Sequence, residues 1–323
     1  MYIMEVTIDS RIELVTIIQT LCNYWDDLSQ KFYSKSLFSC RYKDNIQKYY
    51  KSFSHHKSIK LYRELCNDIP NIDEFLRLGL SCSEPPSFNS QIDNKCFPDN
   101  LYNFIDKVKS FYTDTNTELF FKNNKIEYNS ILSDFNKNID IVKYSNDIYN
   151  YLDIQEKIFK IIISPLIFGN FCISINTNNK DIINYIIISP VDYQDNKYIF
   201  RSESSIRCLL WHEICHSVIN ELTKKYIIQF NINNYEVPGI FKKQFYDKFE
   251  TIINEYIIRS ITIILESNYC DANSLIAYEK QNGFNNINLV VDFLRNNYVE
   301  NKKFIKNDKY TKIIEYVLNI LCP

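Results

Sequence analysis

The sequence predicts an α+β protein that is mainly helical and carries a small sheet of about three strands. Amphipathic segments with helical spacing dominate residues 1–157, and three short β-branched segments lie between residues 159 and 200. A helical pattern resumes at Ser202 and continues toward the end of the chain. This change of pattern divides the 323 residues into a helical amino-terminal region, 1–157, and a second region, 158–323.

The first helix is predicted to begin with Ser10 in the N-cap position. Glu13 follows three residues later, which is the spacing of a capping box, and Ile12 and Val15 begin an apolar stripe with helical period. Residues 81–97, which contain a Pro-Pro pair, read as a loop. Further amphipathic segments cover residues 41–53, 57–67, 71–79, 98–112 and 140–158.

The predicted sheet consists of isoleucine-rich segments. Residues 161–165 and 186–190 both read Ile-Ile-Ile-Ser-Pro, and residues 171–175 between them read Phe-Cys-Ile-Ser-Ile. Branched residues of this kind favour strands, and proline ends them. Helical spacing then predicts helices over residues 202–229 and 243–266, and two or three more over residues 273–321.

The composition excludes several classes of function. Lys and Arg total 37 against 39 Asp and Glu, a formal net charge of -2 without a dense basic stripe, so we expect no nucleic-acid partner. Ten cysteines without a Cys-x-x-Cys pair indicate reduced thiols. The most apolar segment, 158–175, is interrupted by Lys160 and Pro165, and the first residues lack a signal-peptide pattern. We therefore expect a cytoplasmic protein without a membrane partner.

The segment from Trp211 to His216 contains the motif His-Glu-x-x-His. Residues four apart lie on one face of a helix, so His212 and His216 can bind a single Zn²⁺. Glu213 is adjacent to the first ligand, where it can act as the catalytic general base. The chain has 4 histidines, and two of them fall in this motif, which favours zinc over the alternative of packed or surface histidines.

A catalytic zinc site needs a third protein ligand. No histidine follows His216, and Glu255 lies downstream in an otherwise apolar helical segment, where a buried carboxylate needs a partner such as a metal ion. The alternative is that Glu255 pairs with Arg259, four residues later, on a solvated helix face. Weaker candidates for the third ligand are Glu250, Glu266, Asp271 and the upstream Cys172 and Cys208.

An HExxH helix completed by a glutamate of the next long helix resembles the gluzincin pattern. More closely, the chain resembles an uncharacterised bacterial family of predicted gluzincin-like zinc metallopeptidases, known as a domain of unknown function. The resemblance implies a zincin catalytic half that contains the small sheet, and a peptidase activity without a defined substrate. It rests on residues 212–220, 164–166, 169–171, 254–255 and 283–284, and near the amino terminus on residues 11–14 and the region of His56.

Three further residues are weaker candidates for the site. Arg259 and Tyr256 could orient Glu255 or stabilise an oxyanion. His56 precedes a helical segment and in the simpler interpretation is a solvated helix start. In the other interpretation, His56 projects toward the catalytic half and helps to bind substrate or an oxyanion.

These observations predict a zinc-dependent metallopeptidase that acts on a protein or peptide. His212, His216 and Glu255 hold the zinc ion, and Glu213 is the catalytic base. No terminus-binding motif is evident, which favours an endopeptidase. Two alternatives stay open: a non-catalytic zinc-containing binding or regulatory protein on a peptidase scaffold, and a toxin-like or defence protease that cuts one host protein. The oligomeric state is left open.

Overall fold

The structure, a computed structural model, describes residues 4–33, 37–66, 73–92, 97–137, 139–154, 158–177, 182–232, 235–243, 246, 248–298 and 308–322. The chain forms two compact units. The first contains residues 1–139 and 157–201, and the second contains residues 140–156 and 202–323. This grouping differs from the predicted boundary at residue 157, because the strands after it belong to the first unit and the helix before it belongs to the second.

Within the described residues, the first unit combines helices with two groups of strands. The helices are α1 Ser10–Leu21, α2 Tyr24–Tyr33, α3 Arg41–Tyr49, α4 Lys57–Leu65, α5 Glu74–Leu80, α6 Asp99–Asp114, α7 Thr117–Asn123 and α8 Lys125–Asn136. The strands are β1 Glu5–Thr7, β2 Ile158–Ile163, β3 Phe171–Asn176, β4 Ile182–Ile188, β5 Asp192–Gln194 and β6 Lys197–Ile199.

Four of these strands form one sheet in the order β1-β2-β4-β3. β1, β2 and β4 are parallel, and β3 pairs antiparallel with β4. Isoleucines 161–163 and 186–188 are buried on both faces of the sheet, which explains the continuous apolar runs in the sequence. β3 lies at the edge and alternates between the buried Ile173 and the exposed Ser174. β5 and β6 form a separate antiparallel hairpin.

The first helix lies where the sequence predicts it, but the predicted N-cap is wrong. Asp9 is the N-cap residue, because its carboxylate accepts hydrogen bonds from the backbone N–H groups of Arg11 and Ile12. Ser10 is already the first helical residue. Asp9 also binds the Arg11 guanidinium, with Nη2 2.6 Å from Oδ2. Glu13 therefore forms no capping box, and its side chain has a different role.

The Glu13 carboxyl is buried in the core of the first unit, with 1% of the residue exposed. The hydroxyl of Tyr42 donates a hydrogen bond to Oε2 (2.6 Å), and the hydroxyl of Ser164 donates to Oε1 (3.1 Å). Burial raises the pKa of Glu13 to about 7, and the hydrogen bonds from Tyr42 and Ser164 oppose that rise. Glu13 therefore connects α1, α3 and the end of β2.

Among its described residues, the second unit contains helices joined by loops and no strands. Its helices are α9 Ile141–Leu152, α10 Glu203–Tyr226, α11 Gly239–Lys242, α12 Phe249–Glu266, α13 Asn273–Gln281, α14 Ile287–Tyr298 and α15 Asp308–Leu321. α10 packs against α12 and α9. The Trp211 Nε1 donates a hydrogen bond to the Tyr144 carbonyl of α9 (2.8 Å), and Arg207 forms a buried ion pair with Glu266 of α12.

The mainly helical α+β class is confirmed, and the structure adds elements to it. The sheet has a fourth strand, β1, and the helices α2, α7 and α8 lie outside the segments predicted from the sequence. The described cysteines are all free, whereas Cys96 lies outside the described residues. In the parts of the chain that the structure describes, no helix has both the length and the apolar character needed to cross a membrane.

Replacing Glu13 by Gln should change how stability depends on pH. The pKa of Glu13 rises from 4.5 to about 7 on folding, so the folded chain binds more protons and wild-type stability falls as the pH rises through this window. This loss amounts to about 3 kcal/mol between about pH 5 and pH 8, and Glu13→Gln lacks it. The free energy of unfolding, measured with urea at both pH values, should therefore fall by about 3 kcal/mol more in the wild type than in Glu13→Gln between about pH 5 and pH 8. An equal difference at both pH values would contradict this role of Glu13.

Candidate metal centre

Helix α10 brings His212 and His216 to one face, because the two residues are one helical turn apart. The Ser202 hydroxyl caps the helix by accepting a hydrogen bond from the Ser205 N–H. Apolar side chains four residues apart, from Ile206 to Val218, are buried and fix the rotation of the helix. The imidazole side chains remain 20% and 23% exposed, so one side of the pair is accessible.

Helix α12 contributes Glu255 from an almost completely buried stretch of isoleucines. The Glu255 side chain is 5% exposed. Burying a carboxylate among apolar side chains is unfavourable by several kcal/mol unless the charge is paired. Glu255 is therefore buried as the sequence indicates, and its carboxylate needs a partner.

The two imidazoles and the Glu255 carboxylate converge on one point. The Nε2 atoms of His212 and His216 are 3.0 Å apart, His216 Nε2 is 3.4 Å from Glu255 Oε1, and His212 Nε2 is 3.8 Å from Glu255 Oε2. Four ligands around zinc in a tetrahedron lie about 3.3 Å from one another, and the three distances bracket that value. Among the described residues, this is the one group of three His, Cys, Asp or Glu whose ligand atoms lie within 4.8 Å of each other.

The charges around this group suit a cation. Burial, together with His216 and Arg259, holds the pKa of His212 well below its usual value, so its imidazole is neutral at neutral pH. His216 Nδ1 lies 3.4 Å from Asn220 Oδ1, and a proton held on Nδ1 leaves Nε2 as a lone-pair donor. Burial raises the pKa of Glu213 to about 7, His216 opposes this shift and Glu255 adds to it. Glu213 is thus an electrostatic neighbour of the same site.

Arg259 contacts Glu255 directly. Its Nε donates a hydrogen bond to Glu255 Oε2 (2.8 Å), Nη1 donates to Glu279 Oε2 (2.6 Å), and Nη2 donates to the Tyr246 hydroxyl (3.2 Å). Although burial opposes the charged form, Glu255 and Glu279 raise the pKa of Arg259 above its usual range. The two interpretations of Glu255 are therefore compatible, because it pairs with Arg259 and also faces both histidines. The pair is buried and does not lie on a solvated face.

The other two candidates have different surroundings. The Tyr256 ring is buried against Phe284, with ring centroids 4.9 Å apart, and burial raises the pKa of its hydroxyl to about 12. His56 belongs to the first unit, where Nδ1 accepts a hydrogen bond from the Ser58 N–H and Nε2 lies 3.1 Å from Asp114 Oδ2. These contacts favour a packing role for Tyr256 and a helix-capping role for His56.

The alternative third ligands are engaged elsewhere or lie outside the group. Glu266 forms a two-point pair with Arg207, and Asp271 accepts a hydrogen bond from the Asn273 N–H. Cys172 lies on β3 of the first unit. The sequence interpretation gave no site role to Asn220, Tyr246 or Glu279. Asn220 entered it only as the last residue of the segment 212–220 that resembles the family motif, although its position one helical turn after His216 was a readable signal.

Comparison with known families adds one finding. The family described as a domain of unknown function, DUF4932, matches residues 74–322, which is most of the chain. The chain belongs to the DUF4932 family. The match includes the candidate ligand residues on α10 and α12, whereas residues 11–14 and His56 lie outside it. No curated protein and no solved structure matches the chain.

The geometry predicts that this DUF4932 protein binds about one zinc ion per chain. His216→Ala and Glu255→Ala should each lose most of the bound zinc, because each removes one of three converging ligands. Elemental analysis of the purified proteins measures this directly. Glu221→Gln, an exposed position on the same helix, is the control and should retain zinc. A wild-type protein that takes up no zinc even after resupply would contradict the site.

Proposed function

We propose that the protein is a zinc-dependent metallopeptidase. His212, His216 and Glu255 are the residues that would hold the ion. The observation that carries the proposal is the convergence of their ligand atoms from two packed helices, with Glu213 directly beside the first ligand. The proposal extends to a zincin-like arrangement of the catalytic part, which is supported by an HExxH helix packed against a second helix that supplies the glutamate.

The donor set fits zinc in a catalytic setting. Two imidazole nitrogens and one carboxylate are ligands that zinc accepts, and three protein ligands leave a fourth position open. The exposed fraction of both imidazoles is consistent with access to that position. When bound, zinc lowers the pKa of water and polarises a substrate carbonyl. A purely structural zinc site is normally closed by four protein ligands.

Glu213 is the residue of this chain that moves the proton. It accepts a proton from the attacking water, whose oxygen adds to the carbonyl carbon of the peptide bond. The carbon–nitrogen bond then breaks, and Glu213 returns the proton to the departing amine. Arg259 stays bonded to Glu255 and keeps that carboxylate facing the two histidines.

The proposed substrate is a protein or peptide, cleaved internally. Amide hydrolysis uses each element that the site provides: a ligand set with an open position, an adjacent base and a partly exposed side. No nucleic-acid or membrane partner is part of the proposal.

Glu213→Gln tests the proposal, because glutamine keeps the shape of the side chain but cannot accept the proton. The zinc-loaded variant should bind zinc like the wild type and cleave peptides at least about 100-fold more slowly. The measurement is turnover of a mixed peptide library followed by mass spectrometry, with Glu221→Gln as the control on the same helix. Full activity of Glu213→Gln would exclude this mechanism. A zinc-loaded wild type that cleaves nothing would favour a non-catalytic protein.

A further inference from the structure

Arg259 is held on several sides by residues that are not ligands. Its Nη1 is bonded to Glu279 Oε2 at 2.6 Å, its Nη2 to the Tyr246 hydroxyl at 3.2 Å, and its guanidinium carbon lies 4.5 Å from the centre of the Phe284 ring. Only Nε is directed at Glu255. The guanidinium is therefore fixed in a position that its own helix does not impose.

Two of these contacts come from a single turn at the end of α13. The Phe284 N–H donates a hydrogen bond to the Glu279 carbonyl (3.0 Å), and the Gly283 N–H donates to the Lys280 carbonyl (3.1 Å). Gly283 has a φ of +97°, which side chains other than glycine rarely tolerate, and a Cβ there would lie 2.9 Å from Ile240 Cδ1. This glycine-dependent turn sets the Glu279 carboxylate and the Phe284 ring against the same guanidinium.

A second buried arginine–glutamate pair in the same unit has a different hydrogen-bond geometry. Arg207 binds Glu266 at two points, with Nε 2.8 Å from Oε2 and Nη2 2.6 Å from Oε1, so both carboxylate oxygens are occupied. Arg259 uses Nε in the same way, but its Nη2 is bonded to Tyr246. The Glu255 oxygen Oε1 lies instead 3.4 Å from His216 Nε2.

We infer that Glu279 and Tyr246 are positioning residues for the metal centre. They keep Arg259 from binding both oxygens of Glu255, so that Oε1 stays directed at His216 and available to a cation. The inference deepens the proposed function and rests on it. Without Glu279 or Tyr246, the guanidinium can turn into the two-point arrangement that Arg207 adopts and compete with the metal for the carboxylate.

The test is the zinc affinity of two variants, measured by competition with a chromogenic chelator. Glu279→Gln and Tyr246→Phe should each bind zinc roughly 10- to 100-fold more weakly than the wild type. Tyr246→Phe removes one hydroxyl group and leaves the net charge unchanged, so a weaker affinity in that variant cannot come from the loss of a charge near the metal. It also keeps the test usable if Glu279→Gln fails to fold.

Glu266→Gln is the matched control. It alters a buried arginine–glutamate pair of the same helix, α12, and Glu266 is not a member of the group formed by His212, His216 and Glu255. Its zinc affinity should equal that of the wild type, even though its thermal stability falls. An equal loss of affinity in Glu266→Gln would overturn the inference, because general loosening of the helix pair would then explain the result.

A second readout needs no metal. In the metal-free protein, the nitrogen-15 NMR signal of the Arg259 Nε–H group, assigned with Arg259→Lys, should shift in Glu279→Gln and Tyr246→Phe and stay in place in Glu266→Gln. An unchanged signal, or wild-type zinc affinity in both variants, would overturn the inference while the proposed function stands. Absence of zinc binding by the wild type would overturn the proposed function. The NMR signal would still show whether Glu279 and Tyr246 determine the position of the Arg259 guanidinium.

Discussion

A buried carboxylate has to be paired, and the second unit is organised around two such groups on α12. Glu255 and Glu266 are both almost fully buried among isoleucines, and each contacts an arginine. The desolvation of each carboxylate is unfavourable by several kcal/mol unless hydrogen bonds and opposite charge offset it. Glu266 satisfies this requirement with Arg207 at two points and with hydrogen bonds from Ser204 and Cys270. Glu255 instead contacts Arg259 and also faces the two histidines. This difference separates a structural ion pair from a candidate metal centre.

The packed pair α10 and α12 gives the centre a rigid base. Ion pairing at Arg207 and Glu266 joins the helices, and aromatic rings surround the guanidinium, with the Tyr269 ring centre 4.0 Å from it. Trp211 anchors α10 to α9 through its indole N–H. Side chains on regular helices are held more precisely than side chains on loops, so the packing of α10 and α12 fixes the spacing of the two imidazoles.

Buried acidic groups in the first unit also have hydrogen-bond partners. Arg11 pairs with Asp9 and donates hydrogen bonds through Nη1 to the carbonyls of Leu80 and Cys82, both at 3.1 Å. Among the described residues, the hydrogen bonds to Glu13 come from the hydroxyl groups of Tyr42 and Ser164, and burial raises its pKa to about 7. At the start of α1, the buried Asp9 is therefore stabilised by an ion pair with Arg11, whereas the buried Glu13 has a raised pKa.

The sequence by itself determined what depends on neighbours along the chain. Helix periodicity gave most helices, and the four-residue spacing placed His212 and His216 on one face because that relation is local. The apolar context singled out Glu255, since a carboxylate in such a segment needs a partner. Tertiary structure alone decided the rest. The three-residue strand β1 pairs with β2 across more than 150 residues of chain, a contact that no local pattern encodes. Likewise, Tyr246 and Glu279 meet Arg259 only because α13 and the segment before α12 fold against it.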